Sequence, residues 1–117
     1  MLIRLLIAVV CIVIFSSSYA HGKDDGYARV SWYNHGKKTA NGEKFNPHVC
    51  TVAHKTLPFG TLVHFYNPNN ESSIVARIND RGPYIKGREF DITQACAIKL
   101  GFKDKGVIKL KIKVIKL

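Results

Sequence analysis

The chain has 117 residues and a formal net charge of +10 at pH 7, from 18 Lys and Arg residues against 8 Asp and Glu residues. This length fits one domain, and the charge favours polyanions or anionic surfaces as partners. The sequence contains no glycine-rich phosphate loop, no HExxH and no GxSxG motif. Serine-based hydrolysis is therefore unsupported.

Residues 1–20 have the pattern of a secretory signal peptide. A basic residue precedes an apolar run over residues 5–15, and Ser18 and Ala20 are the small residues that signal cleavage needs. A membrane anchor is one alternative, but the run is short of the roughly 20 residues that span a bilayer. Lipid attachment at Cys11 is another, although no small residue precedes it. We expect an exported protein, periplasmic or extracellular, without stable membrane insertion after cleavage.

The next segments alternate between strand and loop signals. Residues 21–26 are polar and glycine-flanked, so we expect a flexible lead. The β-branched and aromatic run at 27–33 predicts a strand, and the Gly-, Asn- and Pro-rich residues 34–48 predict a long surface loop. Alternation over 61–67 and 72–78, on either side of a polar turn, predicts two paired strands.

One short helix follows. Thr93 is a plausible N-cap and Gly101 a stop signal, with Ala95, Ile98 and Leu100 among the apolar positions between them. Short strands, long loops and one helix together favour a small closed or nearly closed β-barrel.

The C-terminal segment alternates apolar residues with lysines. This pattern predicts a strand with one buried face and one face lined by Lys109, Lys111 and Lys113. The lysines form either a solvated face that also guards a sheet edge or a dedicated anion site; we favour the first interpretation.

Two cysteines remain after signal cleavage, Cys50 and Cys96. In an oxidising compartment they could close one disulfide, and the alternative is two separate buried thiols. Neither the cysteines nor the five histidines have the spacing of a zinc or haem site. We expect no metal and no cofactor.

Carboxylates are scarce, which makes their placement informative. Glu43, Asp80 and Asp91 lie among Gly, Pro and aromatic residues. Cleavage of a glycosidic bond needs a positioned acid and a group that manages the developing positive charge, and carboxyl groups do both. Three aromatic residues could pack against sugar rings: Trp32, Tyr33 and Tyr84. The structural alternatives are that Asp80 starts a turn and that Asp91 caps the helix.

Four segments in this order closely resemble the rare-lipoprotein-A-like family: SWYNHGKKTANGEKF, VAHKTLPFGTLV, VARINDRGPYIKGREFDIT and AIKLG. The resemblance covers about residues 28–116. It implies a mainly β fold over residues 27–117, a six-stranded double-psi β-barrel with one or two short helices.

Characterised members of that family are lytic transglycosylases of peptidoglycan. The resemblance therefore implies an enzyme that cleaves the bond between N-acetylmuramic acid and N-acetylglucosamine without water and leaves 1,6-anhydro ends. Peptidoglycan strands are the implied partner, nucleic acid is not, and we expect a monomer. The alternatives are a non-catalytic, expansin-like wall-binding protein and a barwin-like or inhibitor-like interaction module.

The resemblance also assigns residues to roles. It implies that Asp80 is the acid and base of the reaction, and that His54 and Glu43 belong to the catalytic set. Asp91 and Arg81 join the three aromatic residues as the expected substrate-binding set.

The chain departs from the family pattern at three of the matched positions. Asn34 stands where glycine is common, so we expect one wall of the groove to differ in shape. Cys50 and Cys96 both stand where alanine is common, and this paired departure fits a disulfide that joins the segment before His54 to the helix.

Overall fold

The computed structural model describes residues 25–115, so the predicted signal peptide and most of the predicted lead lie outside the described residues. The elements, in chain order, are β1 (Asp25–Tyr33), β2 (Val52–Ala53), β3 (Leu62–Asn67), β4 (Ser72–Asp80), β5 (Phe90–Thr93), helix α1 (Gln94–Leu100), a 3₁₀ turn (Lys103–Lys105) and β6 (Val107–Ile115). Strand β1 begins two residues earlier than its sequence pattern predicts. Between residues 25 and 115, no helix has the length and hydropathy needed to cross a bilayer.

The six strands close into a barrel in the order β1-β5-β2-β4-β3-β6. The pairs β1–β5 and β2–β4 are parallel, whereas all other neighbours, including the closing pair β1–β6, are antiparallel. The prediction of a mainly β, six-stranded barrel with one or two short helices is confirmed. Strand β2 was not predicted as a separate element, because two residues carry no periodicity.

Alternate residues of the strands fill the barrel. Its largest fully buried side chains include Phe65, Phe90 and Phe102, and the rings of Phe65 and Phe90 meet edge to face with centroids 5.3 Å apart. Helix α1 closes one side of this core with Cys96, Ala97 and Leu100, while Ile98 is exposed. Burial of these apolar side chains supplies the main driving force for folding.

The helix ends as predicted at Gly101, which adopts the left-handed conformation with φ of 73°. Thr93 occupies the N-cap position, but its side chain does not cap the helix. Its hydroxyl instead donates to the carbonyl of Val49 (2.7 Å) and accepts from the N–H of Thr51 (3.2 Å). These bonds tie the start of α1 to the segment that leads into β2.

A disulfide joins Cys50 to Cys96, with the Cα atoms 4.8 Å apart. The disulfide interpretation is therefore the one observed, and the alternative of two free thiols is not. The bond crosses from the residue two places before β2 to a fully buried position of α1. It thus constrains the same junction as the hydrogen bonds of Thr93.

We expect the double variant Cys50→Ala/Cys96→Ala to be less stable than the oxidised protein by about 4 kcal/mol, because a cross-link between residues 46 positions apart restricts the unfolded chain. Urea unfolding of the two proteins measures this difference. As a control, reducing agent should bring the natural protein close to the variant and leave the variant unchanged. Equal unfolding midpoints for the oxidised protein and the variant would contradict the prediction.

Candidate active site

The two aspartates of the candidate site lie on one row that runs across the barrel wall. Asp91 of β5 is in register with Ser31 of β1 on one side and with Ala53 of β2 on the other. Ala53 is in turn in register with Asp80 of β4. Because neighbouring strands lie about 4.8 Å apart, the Cα atoms of Asp80 and Asp91 are about 10 Å apart. Ala53 lies between them, and its small side chain leaves the space above it open.

A β-bulge in β4 directs Asp80 out of the barrel. Val52 pairs with Ile78 and Ala53 pairs with Asp80, so Asn79 is an extra residue with no partner in register on β2. Ile78 is fully buried in the core, and Asp80 would share its side of the strand without the bulge. Bulges commonly redirect a side chain in this way near functional sites.

The carboxylate of Asp80 is held by three donors. The N–H groups of Ala40 and Arg81 both donate to Oδ1 at 2.9 Å, and the Tyr33 hydroxyl donates to Oδ2 at 3.0 Å. Tyr33 stacks on Phe45 with ring centroids 5.0 Å apart. Burial, followed by the charge of Asp80, raises the pKa of Tyr33 above its ordinary value, so its hydroxyl stays protonated.

Asp91 has a different environment. Its Oδ1 accepts one hydrogen bond, from the Ser31 hydroxyl at 3.0 Å, so it does not cap α1. Burial raises the pKa of Asp91, and the Ser31 hydrogen bond together with the charges of Arg88 and His35 opposes this rise only in part. Asp91 therefore holds a proton at a higher pH than an ordinary aspartate does.

Both aspartates line one cavity of about 460 Å³, a size within the usual range for small-ligand sites. All of the predicted substrate-binding residues line it too: Trp32, Tyr33, Arg81, Tyr84 and Asp91. Tyr84 is 77% exposed at its rim, where a ring could pack against a sugar. The Arg81 guanidinium, however, donates to the carbonyls of His54 (3.2 Å) and Leu57 (2.8 Å), which holds it on the neighbouring loop.

Glu43 lies in a separate cavity. Its carboxylate accepts from the Arg77 guanidinium at 2.7 Å and from the Asn79 side-chain amide at 2.9 Å. These contacts, with Arg77 the largest, lower the pKa of Glu43 to about 2. Glu43 is therefore ionised, and its contacts tie the loop over residues 34–48 to the bulge beside Asp80.

His54 lines a third cavity. Its Nδ1 accepts from the backbone N–H groups of Thr56 (3.1 Å) and Leu57 (3.0 Å), so the ring proton resides on Nε2. Burial lowers the pKa of His54, and the charges of Arg81 and Lys55 lower it further. The imidazole is therefore neutral and braces its own loop. Its backbone N–H donates to the carbonyl of Asp80 at 3.2 Å.

Sequence reasoning missed three contributors to this site: Ser31, Ala53 and Asn79. Each is small and unremarkable in its strand, and only the register of β1, β5, β2 and β4 shows its role. The backbone N–H of Ala40 has no side-chain signal at all. Within residues 25–115 no three His, Cys, Asp or Glu side chains are grouped so that they could hold a metal ion.

Comparisons with known proteins agree on one family. The sequence model of the family described as "Lytic transglycolase" matches residues 26–112. A relative from Rickettsia felis, "Endolytic peptidoglycan transglycosylase RlpA", is 47% identical over 95 residues, which cover 76% of this chain and 41% of the relative. A "Probable endolytic peptidoglycan transglycosylase RlpA" from Aquifex aeolicus is 46% identical over 94 residues, covering 78% and 41%. The chain thus spans less than half the length of these two relatives.

Two solved structures share the fold. The Streptomyces papain inhibitor superposes with a TM-score of 0.62 at 20% identity, covering 78% of this chain and 96% of the inhibitor. A Clavibacter michiganensis expansin in complex with cellohexaose gives 0.63 at 12% identity, covering 79% and 50%. At these identities the likeness concerns the fold alone. The family match and the RlpA relatives place the chain itself: it belongs to the lytic transglycolase family of RlpA-like double-psi β-barrels.

Proposed function

We propose that the protein is a peptidoglycan lytic transglycosylase that acts as a monomer in the cell envelope, in the periplasm or outside the cell. The observation that carries this proposal is the row Ser31–Asp91–Ala53–Asp80, which presents two carboxyl groups in one cavity. The RlpA relatives, named for endolytic peptidoglycan transglycosylase activity, support the choice of substrate.

Asp80 is the acid and base of the proposed reaction. It donates a proton to the oxygen that links N-acetylmuramic acid to N-acetylglucosamine, and the bond from this oxygen to muramyl C1 breaks as positive charge develops on the muramyl ring. The muramyl O6 hydroxyl then attacks C1 and returns its proton to the Asp80 carboxylate. The product carries a 1,6-anhydro ring, and no water is consumed.

In this proposal Oδ2 of Asp80 carries the transferred proton, and the hydrogen bonds around Asp80 support this choice. Its other oxygen, Oδ1, accepts from two backbone N–H groups, which cannot turn into acceptors. The partner of Oδ2 is the Tyr33 hydroxyl, which accepts when its hydrogen rotates away and donates when Asp80 is ionised. After proton transfer all three donors stabilise the anion, so Tyr33 acts as a positioning residue for the proton.

Asp91 is the second carboxyl group of the groove and binds the substrate. Its carboxyl oxygens can accept hydrogen bonds from sugar hydroxyl or acetamido groups. The open space above Ala53 lies between the two carboxyl groups, where a sugar residue would be held.

Glu43 and His54 are positioning residues in this proposal. Glu43 holds the side chain of Asn79, the bulged residue whose insertion directs Asp80 into the groove. His54 holds the loop over residues 54–57 through Nδ1 and binds the Asp80 carbonyl through its backbone. Neither side chain lines the cavity that contains Asp80.

The same separation favours a second candidate function. Since Asp80, Glu43 and His54 line three different cavities, the groove has fewer titratable partners than the family pattern implies. A protein that binds glycan strands and loosens the wall without cleaving them, as proposed for the expansin-like alternative, needs only the carboxyl groups and the aromatic rim.

Digestion of purified peptidoglycan strands tests the two functions. We expect the natural protein to release anhydro-muramyl ends, detected by mass spectrometry, and Asp80→Asn to lower their rate of formation by roughly 100-fold or more, as for the loss of a general acid. Asp104→Asn removes an exposed carboxylate outside the cavity and is the matched control. If the natural protein binds strands but forms no anhydro ends, the transglycosylase proposal fails and the binding protein takes its place.

We expect Glu43→Gln to lower kcat by roughly 10- to 100-fold, because displacing a catalytic group by about 1 Å has effects of this size. The pH profile of kcat should keep its shape, since Glu43 does not titrate in the reaction. Asn79→Ala removes the other end of the positioning contact and should cause a similar loss. A large loss in Glu43→Gln with full activity in Asn79→Ala would show that Glu43 does more than position Asp80.

Glu43 should also contribute to acid stability. Its folded-state pKa of about 2 lies below the ordinary value of 4.5, so its contribution is present above pH 4.5 and is lost as the pH falls toward 2. As the pH is lowered from 4.5 toward 2, the thermal stability of Glu43→Gln should therefore fall less than that of the natural protein.

Asp91→Asn should separate binding from chemistry. Asn replaces one carboxyl oxygen of Asp91 by an amide nitrogen and so loses one acceptor, and we expect KM to rise roughly 3- to 10-fold, the cost of one hydrogen bond. The folded-state pKa of Asp91 is raised, so its contribution to stability is present below pH 3.8 and is lost as the pH rises through the folded-state value. The variant should therefore gain stability relative to the natural protein as the pH rises.

If turnover were abolished in Asp91→Asn and retained in Asp80→Asn, Asp91 would be the acid and base of the reaction and Asp80 the substrate-binding residue.

A further inference from the structure

The outer face of β6 carries a row of cations between two aromatic side chains. Lys109, Lys111 and Lys113 are exposed on this face at intervals of about 7 Å, two strand residues each. Lys109 is in register with Arg29 of β1, and Lys111 is flanked by Tyr27 of β1 and Tyr66 of β3. We call this surface the basic face; its residues are Tyr27, Arg29, Tyr66, Lys109, Lys111 and Lys113.

The fold removes one explanation for these lysines, the protection of a sheet edge. Lysines often protect the free edge of a sheet from pairing with another chain. Strand β6, however, is hydrogen-bonded to β1 on one side and to β3 on the other, so it has no free edge. The protection of an edge therefore does not account for them.

Within residues 26–115, no carboxylate forms an ion pair with the cations of the basic face. Among the side chains of residues 26–115 the one ion pair is Arg77–Glu43, which lies elsewhere. The register places Asp25 opposite Lys113, so Lys109 and Lys111 are the lysines on which the inference rests. Beside Lys111 an open depression of about 700 Å³ extends along β6 and β3.

The lysines of the basic face and the centre of the candidate active site lie on different strands of the barrel. In the order β1-β5-β2-β4-β3-β6, strand β6 is three places from β2 in either direction. Ala53, at the centre of the site row, is on β2. Strand β1 contributes to both surfaces, with Arg29 on the basic face and Ser31 in the site row.

We propose that the basic face binds the carboxylates that branch from the muramyl residues of peptidoglycan, and so holds the protein on the wall while the groove acts on another segment. This inference rests on the proposed function. The sugar backbone of that polymer is uncharged, so its side-group carboxylates are the anions that the basic face can bind. The groove, in contrast, combines Asp80 and Asp91 with Arg81 and Arg88. The basic face offers these carboxylates a complementary charge, and its tyrosines offer flat surfaces beside the cations.

Binding to insoluble peptidoglycan tests the proposal without any turnover. The natural chain with Asp80→Asn, which prevents digestion, is compared with the same chain carrying Lys109→Gln/Lys111→Gln. The matched control is Lys99→Gln/Lys105→Gln, which removes two exposed lysines outside the basic face. Each protein is titrated onto native peptidoglycan and onto peptidoglycan whose carboxylates have been coupled to ethanolamine.

We expect Lys109→Gln/Lys111→Gln to weaken binding to native peptidoglycan by roughly 3- to 10-fold, from two exposed ion pairs, and the control to stay within about twofold of the parent. On the amidated polymer all three proteins should bind equally, and rising salt should remove the difference on the native polymer. Equal binding of the double variant and the control to native peptidoglycan would overturn the proposal.

The other possible occupant is an anionic membrane. A loss of binding by Lys109→Gln/Lys111→Gln to phosphatidylglycerol vesicles, with unchanged binding to native peptidoglycan, would also overturn the proposal and assign the face to lipid. The binding test does not depend on the reaction. If the natural protein forms no anhydro ends, the proposed enzyme activity is refuted, whereas the binding comparison alone decides whether the basic face binds the carboxylates of peptidoglycan.

Discussion

The candidate site depends on the pairing of a strand only two residues long. Val52 and Ala53 are hydrogen-bonded to β4 in parallel and to β5 in antiparallel fashion, and this double pairing brings Asp80 and Asp91 into one row. So short a strand has little stability of its own. The two residues that precede β2 hold it in position. Cys50 is joined to Cys96 by the disulfide, and Thr51 exchanges hydrogen bonds with Thr93. The covalent bond and the hydrogen bonds thus secure the same junction.

The arrangement of charge follows from this frame. Backbone N–H groups and one tyrosine surround Asp80, whereas Asp91 has a single hydroxyl donor, and burial raises its pKa. Two carboxyl groups on one row thus have different environments, which is how enzymes separate the roles of paired acids. The nearby ionised Glu43 is kept apart from both by its contacts with Arg77 and Asn79.

The barrel also carries two kinds of surface. The strands β1, β5, β2 and β4 carry the groove with its two aspartates, and β6 with its neighbours β1 and β3 carries the basic face, so β1 contributes to both. In a closed barrel every strand is paired on both sides, so there is no free edge for outward side chains to protect. A lysine row that would be protective on an open sheet becomes available for binding when the sheet closes.

How much of this could be predicted differs from element to element. Alternating patterns predicted β1, β3, β4 and β6, because apolar and polar residues alternate along a strand with one buried face. Gly101 predicted the end of α1, because only glycine adopts its backbone conformation without strain. Strand β2 was not predicted. The role of the Thr93 hydroxyl was not predicted either, because it forms hydrogen bonds with the segment before β2 and does not cap the helix.

The sequence by itself determined the family, the barrel class and the identity of the two groove aspartates, since these rest on residue types in a fixed order. Only the tertiary structure decided that Glu43 and His54 face other cavities than Asp80, and that Asn79 is a bulge. The physical reason is that strand register and hydrogen-bond partners join residues far apart in the chain. NDRGPYIKGREFD contains both aspartates, but the row that unites them passes through Ala53, 27 residues before Asp80.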